Sequence, residues 1–163
     1  MNKTVRVAAI ALCTMLASTT SLAQDKFEVS VGADIVSKYL WRGFDQGTGA
    51  SIQPSLELGY KGFFIEAWGN TSITDLEAKE VDFTLGYNFG WLTLCVTDYW
   101  WAGESGHYGN YKDDHYFEGM ACVDFGAKLP LTFEIATMFA GGDRNEEGKQ
   151  CFSTYFSAAY DIA

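Results

Sequence analysis

The stretch that decides the fold is "SIQPSLELGYKGFFIEAWGN", residues 51–70. Apolar and polar residues alternate through both of its halves, and this period of two is typical of β-strands that have one apolar face. Only Lys61 and Gly62 separate the two alternating runs. Because a two-residue connection that contains glycine is typical of a tight β-turn, the stretch predicts two antiparallel strands joined by a short turn.

The same alternation recurs on both sides of this stretch. It is found in six further segments, namely residues 27–41, 81–88, 92–97, 117–125, 131–139 and 152–162. No part of the chain shows a helical period with capping residues at its ends. The sequence therefore predicts an all-β fold with about eight strands.

The lengths of the connections indicate how these strands are arranged. Short links, residues 61–62, 88–90 and 127–130, alternate with longer polar links, residues 43–49, 71–79, 103–114 and 141–150. All short turns then lie at one end of the sheet and all long loops at the other. Transmembrane β-barrels have this arrangement, with short periplasmic turns and longer extracellular loops. The sequence predicts an antiparallel up-and-down transmembrane β-barrel.

Aromatic residues collect at both ends of the predicted strands. At the turn end they are Tyr60, Phe63, Tyr87, Phe89, Trp91, Phe125 and Tyr160, and at the loop end Tyr39, Trp41, Phe44, Trp68, Tyr99, Trp100 and Trp101. Two aromatic girdles that bracket strands of about 10 residues are typical of a barrel that crosses a bilayer. The general preference of aromatic residues for strands explains their number but not this placement.

Most of the charged residues of the strands share one face. They include Asp34, Lys38, Arg42, Glu66, Asp82, Glu118 and Glu134. In an outer-membrane barrel the apolar face contacts lipid, and the polar face lines the lumen. We therefore expect these charged side chains in the lumen, with Lys38 and Arg42 as partners of the carboxylates. Tyr39 and Trp41 then belong to the lipid-facing series at the outer girdle.

The N-terminus has the features of a bacterial secretory signal peptide. Lys3 and Arg6 precede an apolar segment, residues 7–17, and Ser21-Leu22-Ala23 forms a small-x-small cleavage site. We expect residues 1–23 to be removed and residues 24–163 to form one barrel domain in the outer membrane of a Gram-negative bacterium.

The charge of the chain limits its partners. The whole chain has 11 Lys and Arg against 21 Asp and Glu, a net charge of −10. Loss of Lys3 and Arg6 with the signal peptide makes this −12. An acidic protein is unsuited to nucleic acid, which requires positive charge. Membrane lipid and small solutes or cations are the expected partners, and nothing in the sequence indicates an oligomeric state.

Two cysteines lie on consecutive predicted strands around the loop at residues 103–114. Symmetrical pairing about this loop places Cys95 opposite Cys122, and a disulfide between them is compatible with the oxidising periplasm. The alternative is a register shifted by two residues, which leaves the two cysteines apart. Cys151 has no evident partner.

The loop "ESGHYGNYKDDHY", residues 104–116, contains both histidines of the chain, His107 and His115. With Asp113 and Asp114 they supply the ligand types of a metal site, but we expect them to be solvated loop residues. Ser105 and His107 fit no catalytic motif. We predict that the protein is not an enzyme and has no metal and no cofactor.

Residues 36–90 resemble the TorF-like family of proteobacterial porins. The residues that carry this resemblance are Ser37, Tyr39, Arg42, Gly43, Gln46, Gln53, Gly62, Phe63 and Trp68, followed by Glu80, Asp82, Gly86 and Tyr87. The resemblance implies an outer-membrane β-barrel described as a porin. It implies no substrate and no catalytic residue.

The C-terminus departs from the pattern of outer-membrane barrels. Such barrels end on a strand with a terminal aromatic residue, which the outer-membrane assembly machinery recognises, whereas this chain ends on "AAYDIA". That ending is similar to the approach to another turn. We expect the sequence to be part of a larger barrel with further strands.

Three functions agree with these observations. The first is a porin that passes small solutes or ions, with a preference for cations because its lumen is acidic. The second is a non-conducting surface barrel whose loops bind or adhere. The third is a soluble periplasmic β-domain.

Overall fold

The computed structural model describes residues 27–74, 79–102, 107–126 and 128–161. The predicted signal peptide, residues 1–23, lies outside the described residues. The strands are β1 (Glu28–Val36), β2 (Leu40–Trp41), β3 (Phe44–Asp45), β4 (Ser51–Tyr60), β5 (Phe63–Ser72), β6 (Lys79–Asn88), β7 (Leu92–Trp101), β8 (His115–Asp124), β9 (Leu131–Gly141) and β10 (Thr154–Tyr160).

Eight of these strands form one antiparallel sheet, in the order β1-β4-β5-β6-β7-β8-β9-β10. Each strand of this sheet pairs with the next one along the chain, so the sheet is a meander. The prediction of an all-β, up-and-down arrangement of about eight strands is confirmed. Within the described part of the chain the sheet is open, because β1 and β10 form its two edges and do not pair with each other. The described residues include no helix long and apolar enough to cross a membrane.

The tight turns lie at one end of the sheet, as predicted. Lys61 and Gly62 have φ values of 50° and 88° between β4 and β5. Positive φ at both central residues is typical of the hairpin turn that matches the twist of its strands. Between β6 and β7, the side chain of Asn88 accepts a hydrogen bond of 2.6 Å from the backbone N–H of Gly90. The long connections lie at the opposite end.

The two faces of the sheet have the opposite polarity to those of a water-soluble protein. On the covered face, Glu66, Asp82 and Glu118 are buried, and Glu118 is only 1% exposed. On the open face, Leu85 and Ile135 are 58% and 50% exposed. Lys, Glu and Asp are rarely buried in soluble proteins, whereas Leu and Ile usually are. The sheet therefore covers its carboxylates and leaves its apolar side chains open.

A small apolar cluster lies on the covered face, toward the turn end. It consists of Phe64, Cys95, Met120 and Ala136, from four different strands. Gly86 makes room for it, because a Cβ atom at this position would collide with the Phe64 ring and with Cys95. The covered face is thus packed with apolar side chains toward its turn end.

The first predicted strand is too long. β1 ends at Val36, and residues 37–46 fold over the covered face as a separate segment that we call the inner hairpin. Its strands β2 and β3 are joined by Arg42 and Gly43, with φ values of 51° and 83°. The backbone N–H of Gln46 donates to the carbonyl of Tyr39 at 2.9 Å. The prediction that Tyr39 and Trp41 face lipid is wrong, because both lie on the covered side.

Of the two registers considered for Cys95 and Cys122, the structure has the one that is shifted by two residues and leaves the two cysteines apart. The register of β7 and β8 places Cys95 opposite Met120 and Cys122 opposite Thr93. Both cysteines are buried and no disulfide joins them. A shift of two residues keeps every side chain on its face, so the alternation is preserved while the pairs change.

Candidate functional site

The inner hairpin is anchored by Arg42. Its Nη1 donates to Oε1 of Glu118 and its Nη2 to Oε2 of Glu118, both at 2.7 Å. Nη2 also lies 4.0 Å from Oε1 of Glu134 on the next strand. A bidentate arginine–carboxylate pair with two parallel hydrogen bonds is among the strongest polar contacts in proteins. It is largely removed from water here, because the Arg42 side chain is only 14% exposed.

Two aromatic rings enclose the guanidinium group of Arg42. Its central carbon lies 4.4 Å from the ring centroid of Trp41 and 4.3 Å from that of Tyr155. Such cation–π contacts favour the charged form of arginine. Burial opposes the charge, but the hydrogen bonds and the attraction of Glu118 hold the pKa of Arg42 above its ordinary value. The Tyr99 hydroxyl donates to Glu118 Oε2 at 2.9 Å, so this carboxylate has three donors.

The inner hairpin contacts both halves of the sheet. The ring of Tyr39 lies 5.5 Å from that of Trp68 on β5. Trp41 packs edge-on against Tyr99 and Trp101 of β7, at 5.9 Å in each case. With the contacts of Arg42 to β8 and β10, the hairpin crosses the covered face at its loop end.

A second group of carboxylates lies on the covered faces of β5 and β6. Glu66, Glu80 and Asp82 are 8%, 4% and 6% exposed. Glu57, on β4, lies directly opposite Glu66. Tyr39 and Trp101 donate hydrogen bonds to Glu80. The burial of Tyr39, with Glu80 and Asp82 nearby, raises the pKa of its hydroxyl, which keeps it a donor.

Two oxygens of this second group have no hydrogen-bond partner, namely Oε1 of Glu80 and Oδ1 of Asp82. Among the ion pairs of the described residues, one cation faces the buried carboxylates. It is Arg42, and its partners are Glu118 and Glu134. Among the described residues no three His, Cys, Asp or Glu side chains converge closely enough to hold a metal ion directly.

The other predicted site residues lie elsewhere. Asp34 is exposed on the edge strand β1, opposite Gln53. Lys38 was expected to be a lumenal partner of the carboxylates. Instead its Nζ pairs with Oδ2 of Asp45 at 2.7 Å, at the exposed side of the inner hairpin. The hydrogen bond from Lys38 lowers the pKa of Asp45.

Sequence reasoning missed several members of the site. Tyr155 and Tyr99 contact the Arg42–Glu118 pair, and Glu80 joins Asp82. The alternation contained signals for two of them. Tyr155 falls on the polar side of the last predicted strand. Glu80 lies two residues before Asp82 and therefore on the same face of β6, which begins at Lys79 rather than at Val81.

His115 differs from the expected solvated loop residue. It is the first residue of β8 and is 0% exposed. Its Nδ1 lies 2.7 Å from Oδ1 of Asp98, and its Nε2 lies 2.6 Å from the carbonyl oxygen of Tyr108. The ring stacks on Tyr111 at 3.9 Å. His115 thus fixes the loop that precedes β8 to β7.

A pocket of about 380 Å³ lies between the inner hairpin and β8 to β10. Its wall includes Trp41, Arg42, Phe44, Tyr116, Asp143 and Tyr155. Asp143 accepts hydrogen bonds from the backbone N–H and the hydroxyl of Ser153 and from the Gln150 amide. Aromatic rings therefore form much of the pocket wall. The two charged groups named in the wall, Arg42 and Asp143, both form hydrogen bonds with other residues of the protein.

The chain was compared with protein-family models, with curated proteins and with solved structures. None of the three comparisons gives a match. Membership of the TorF-like family stays a prediction.

Proposed function

We propose that the protein is an integral β-barrel of the bacterial outer membrane, with an acidic lumen that passes small cations. The observation that carries this proposal is the polarity of the sheet, with carboxylates covered and large apolar side chains open. Burying one Val, Leu, Ile or Phe side chain stabilises a protein by about 1.5–3 kcal/mol. An open apolar face forgoes this gain in water, whereas in a bilayer it contacts lipid.

The open edges of the sheet support closure in a membrane. Unpaired backbone N–H and C=O groups are not tolerated in contact with hydrocarbon, so a sheet in a bilayer must close into a barrel. β1 runs from the turn end to the loop end, and β10 runs the opposite way. Their alternation also matches, because Val29 and Val31 on β1 pair with Leu58 and Leu56, and Phe156 on β10 pairs with Ile135, all on the apolar face. Closure joins β1 to β10 directly or through further strands.

The charge on the covered face favours cations over anions. It carries Glu57, Glu66, Glu80, Asp82, Glu118 and Glu134, against Arg42. Rings and rows of carboxylates select for cations in membrane pores. The Phe64 cluster and the inner hairpin fill much of the space, so only small ions would pass.

A second candidate is a non-conducting barrel whose loops bind or adhere. The observation that favours it is the inner hairpin, which lies across the covered face and is fixed there by Arg42. In this case the lumen is a packed interior, as in small eight-stranded barrels.

The experiment that tests the proposal combines membrane fractionation with conductance in planar bilayers. A barrel in the outer membrane should fractionate with membranes and migrate faster on gels before heating than after. The purified chain should then give conductance steps whose reversal potential in a KCl gradient indicates a preference for K⁺.

A double variant separates the two candidates. Arg42→Ala with Glu118→Gln releases the inner hairpin by removing both charges of its bidentate ion pair, and it should increase the conductance. A chain found in the soluble fraction refutes the barrel. A folded barrel in which neither the parent nor the double variant conducts refutes cation passage and supports the second candidate.

A further inference from the structure

We infer that Glu66, Glu80 and Asp82 form a binding site for small hydrated inorganic cations. This inference rests on the proposed function, because it takes the covered face as the lumen of a barrel. It adds to that proposal by naming the residues that hold the ion.

The strand register brings the three carboxylates together on one face. Across β5 and β6, Trp68 lies opposite Asp82, with Glu66 and Thr84 paired on one side and Asn70 and Glu80 on the other. Glu80 and Asp82 are two positions apart on β6, and Glu66 is a diagonal neighbour of Asp82. Diagonal neighbours are about 7–8 Å apart at their Cα atoms, within reach of long side chains. This spacing suits an ion that keeps part of its water shell.

The burial of these groups requires a compensating charge. Each of the three side chains is more than nine-tenths buried. An isolated buried carboxylate is costly unless a cation or a proton neutralises it. Glu118 engages both terminal nitrogens of Arg42, so this guanidinium group is committed to the other half of the sheet. Mobile cations from solution can supply the missing charge.

The orphaned oxygens show where an ion would bind. Oε1 of Glu80 and Oδ1 of Asp82 are buried and accept no hydrogen bond. Tyr39 and Trp101 donate to the carboxylate of Glu80 and so hold it in place. Direct ligation by three side chains is excluded among the described residues. The ion is therefore held by the unused oxygens and through water, which predicts weak and exchangeable binding.

Terbium luminescence provides a direct test, with Tb³⁺ as the probe and the whole chain in detergent micelles. Trp68 lies across from Asp82 and can sensitise a bound ion. We expect saturable luminescence that Ca²⁺ displaces. Asp82→Asn and Glu66→Gln should each weaken the apparent affinity about tenfold, because each removes one nearby charge. The matched control Asp34→Asn removes an exposed carboxylate of β1 and should leave the affinity unchanged.

The outcomes distinguish this inference from the proposed function. Gel mobility before and after heating reports whether each variant is a folded barrel. A folded, conducting barrel that does not bind Tb³⁺ overturns the site and leaves the proposed function standing. Binding that persists unchanged in both Asp82→Asn and Glu66→Gln overturns it too. A chain that forms no membrane barrel refutes the proposed function first.

Discussion

The covered face of the sheet has two groups of buried carboxylates that differ in their partners. Glu118 and Glu134, on β8 and β9, lie beside Arg42, and Glu118 receives three hydrogen bonds. The second group, on β5 and β6, is buried to a similar degree and consists of Glu66, Glu80 and Asp82. Among the ion pairs of the described residues, none joins a carboxylate of this group to a cation. Burial alone therefore does not indicate what a carboxylate does. The first group fixes the inner hairpin, whereas each carboxylate of the second group requires a proton or a cation from solution to neutralise it.

The largest expected effect comes from removing the partner of Arg42. Glu118→Ala leaves a buried guanidinium group without its carboxylate, and breaking a buried ion pair from one side costs about 3–5 kcal/mol. We expect the free energy of unfolding in detergent or lipid to fall by about this amount. Urea titration followed by tryptophan fluorescence measures it, since the Trp41 ring contacts the Arg42 guanidinium group and Trp101 contacts Trp41.

The double variant Arg42→Met with Glu118→Met is the control. It leaves neither charge buried, and it should recover most of the lost stability. If the double variant is as unstable as Glu118→Ala alone, the ion pair is not the cause and the comparison between the two groups fails.

The second prediction is an increase in the free energy of unfolding, opposite to the effect of Glu118→Ala. Asp82→Asn replaces a buried carboxylate that has an unused oxygen with a neutral side chain of the same shape. We expect the free energy of unfolding to rise by about 1 kcal/mol in low salt with a chelator, because an uncompensated buried charge is removed. The measurement is the same urea titration. A clear loss of stability would show that Asp82 has a charged partner, and that the two groups are alike.

The smallest effect is expected at Lys38. It is four residues from Arg42, but its ion pair with Asp45 is exposed. Exposed pairs of this kind contribute little because water and salt screen them. The lowered pKa of Asp45 means that the pair stabilises the fold above the ordinary pKa of aspartate and is lost as the pH falls through the lowered value.

Lys38→Ala should therefore leave the urea midpoint unchanged at neutral pH, within the error of the titration. Glu118→Ala, measured in parallel, shows how large the shift of the urea midpoint is when the buried ion pair is broken. A destabilisation as large as that of Glu118→Ala would mean that the hairpin is held by its exposed side rather than by Arg42.

The alternation of the sequence was sufficient to predict the strands of the sheet. The run at residues 63–70 became β5 (Phe63–Ser72), and the run at residues 131–139 became β9 (Leu131–Gly141). It also assigned Glu66 and Asp82 to the same face. These features are local, because successive side chains of any strand point to opposite faces.

The inner hairpin could not be predicted in this way. Tyr39 and Trp41 continue the alternating apolar series of Val29 and Ile35, so the sequence pattern shows no break where β1 ends. Alternation no longer indicates which face a side chain lies on once the chain has left the sheet. The path of residues 37–46 is determined by a contact with Glu118, which is 76 residues away from Arg42 in the chain. The choice between the two registers at Cys95 could not be made for a related reason, because alternation fixes the face of a residue and not its register.

The turn at Arg42 has a consequence for reading related sequences. A residue other than glycine at a positive φ, here 51°, is strained by about 1–2 kcal/mol. Glycine or asparagine would fit this turn better, and the hydrogen bonds of the Arg42 side chain to Glu118 offset this strain. Positions 42 and 118 should therefore change together among relatives. Where position 118 is not acidic, we expect glycine or asparagine at position 42, and the pairing of these two columns would reveal the inner hairpin without a structure.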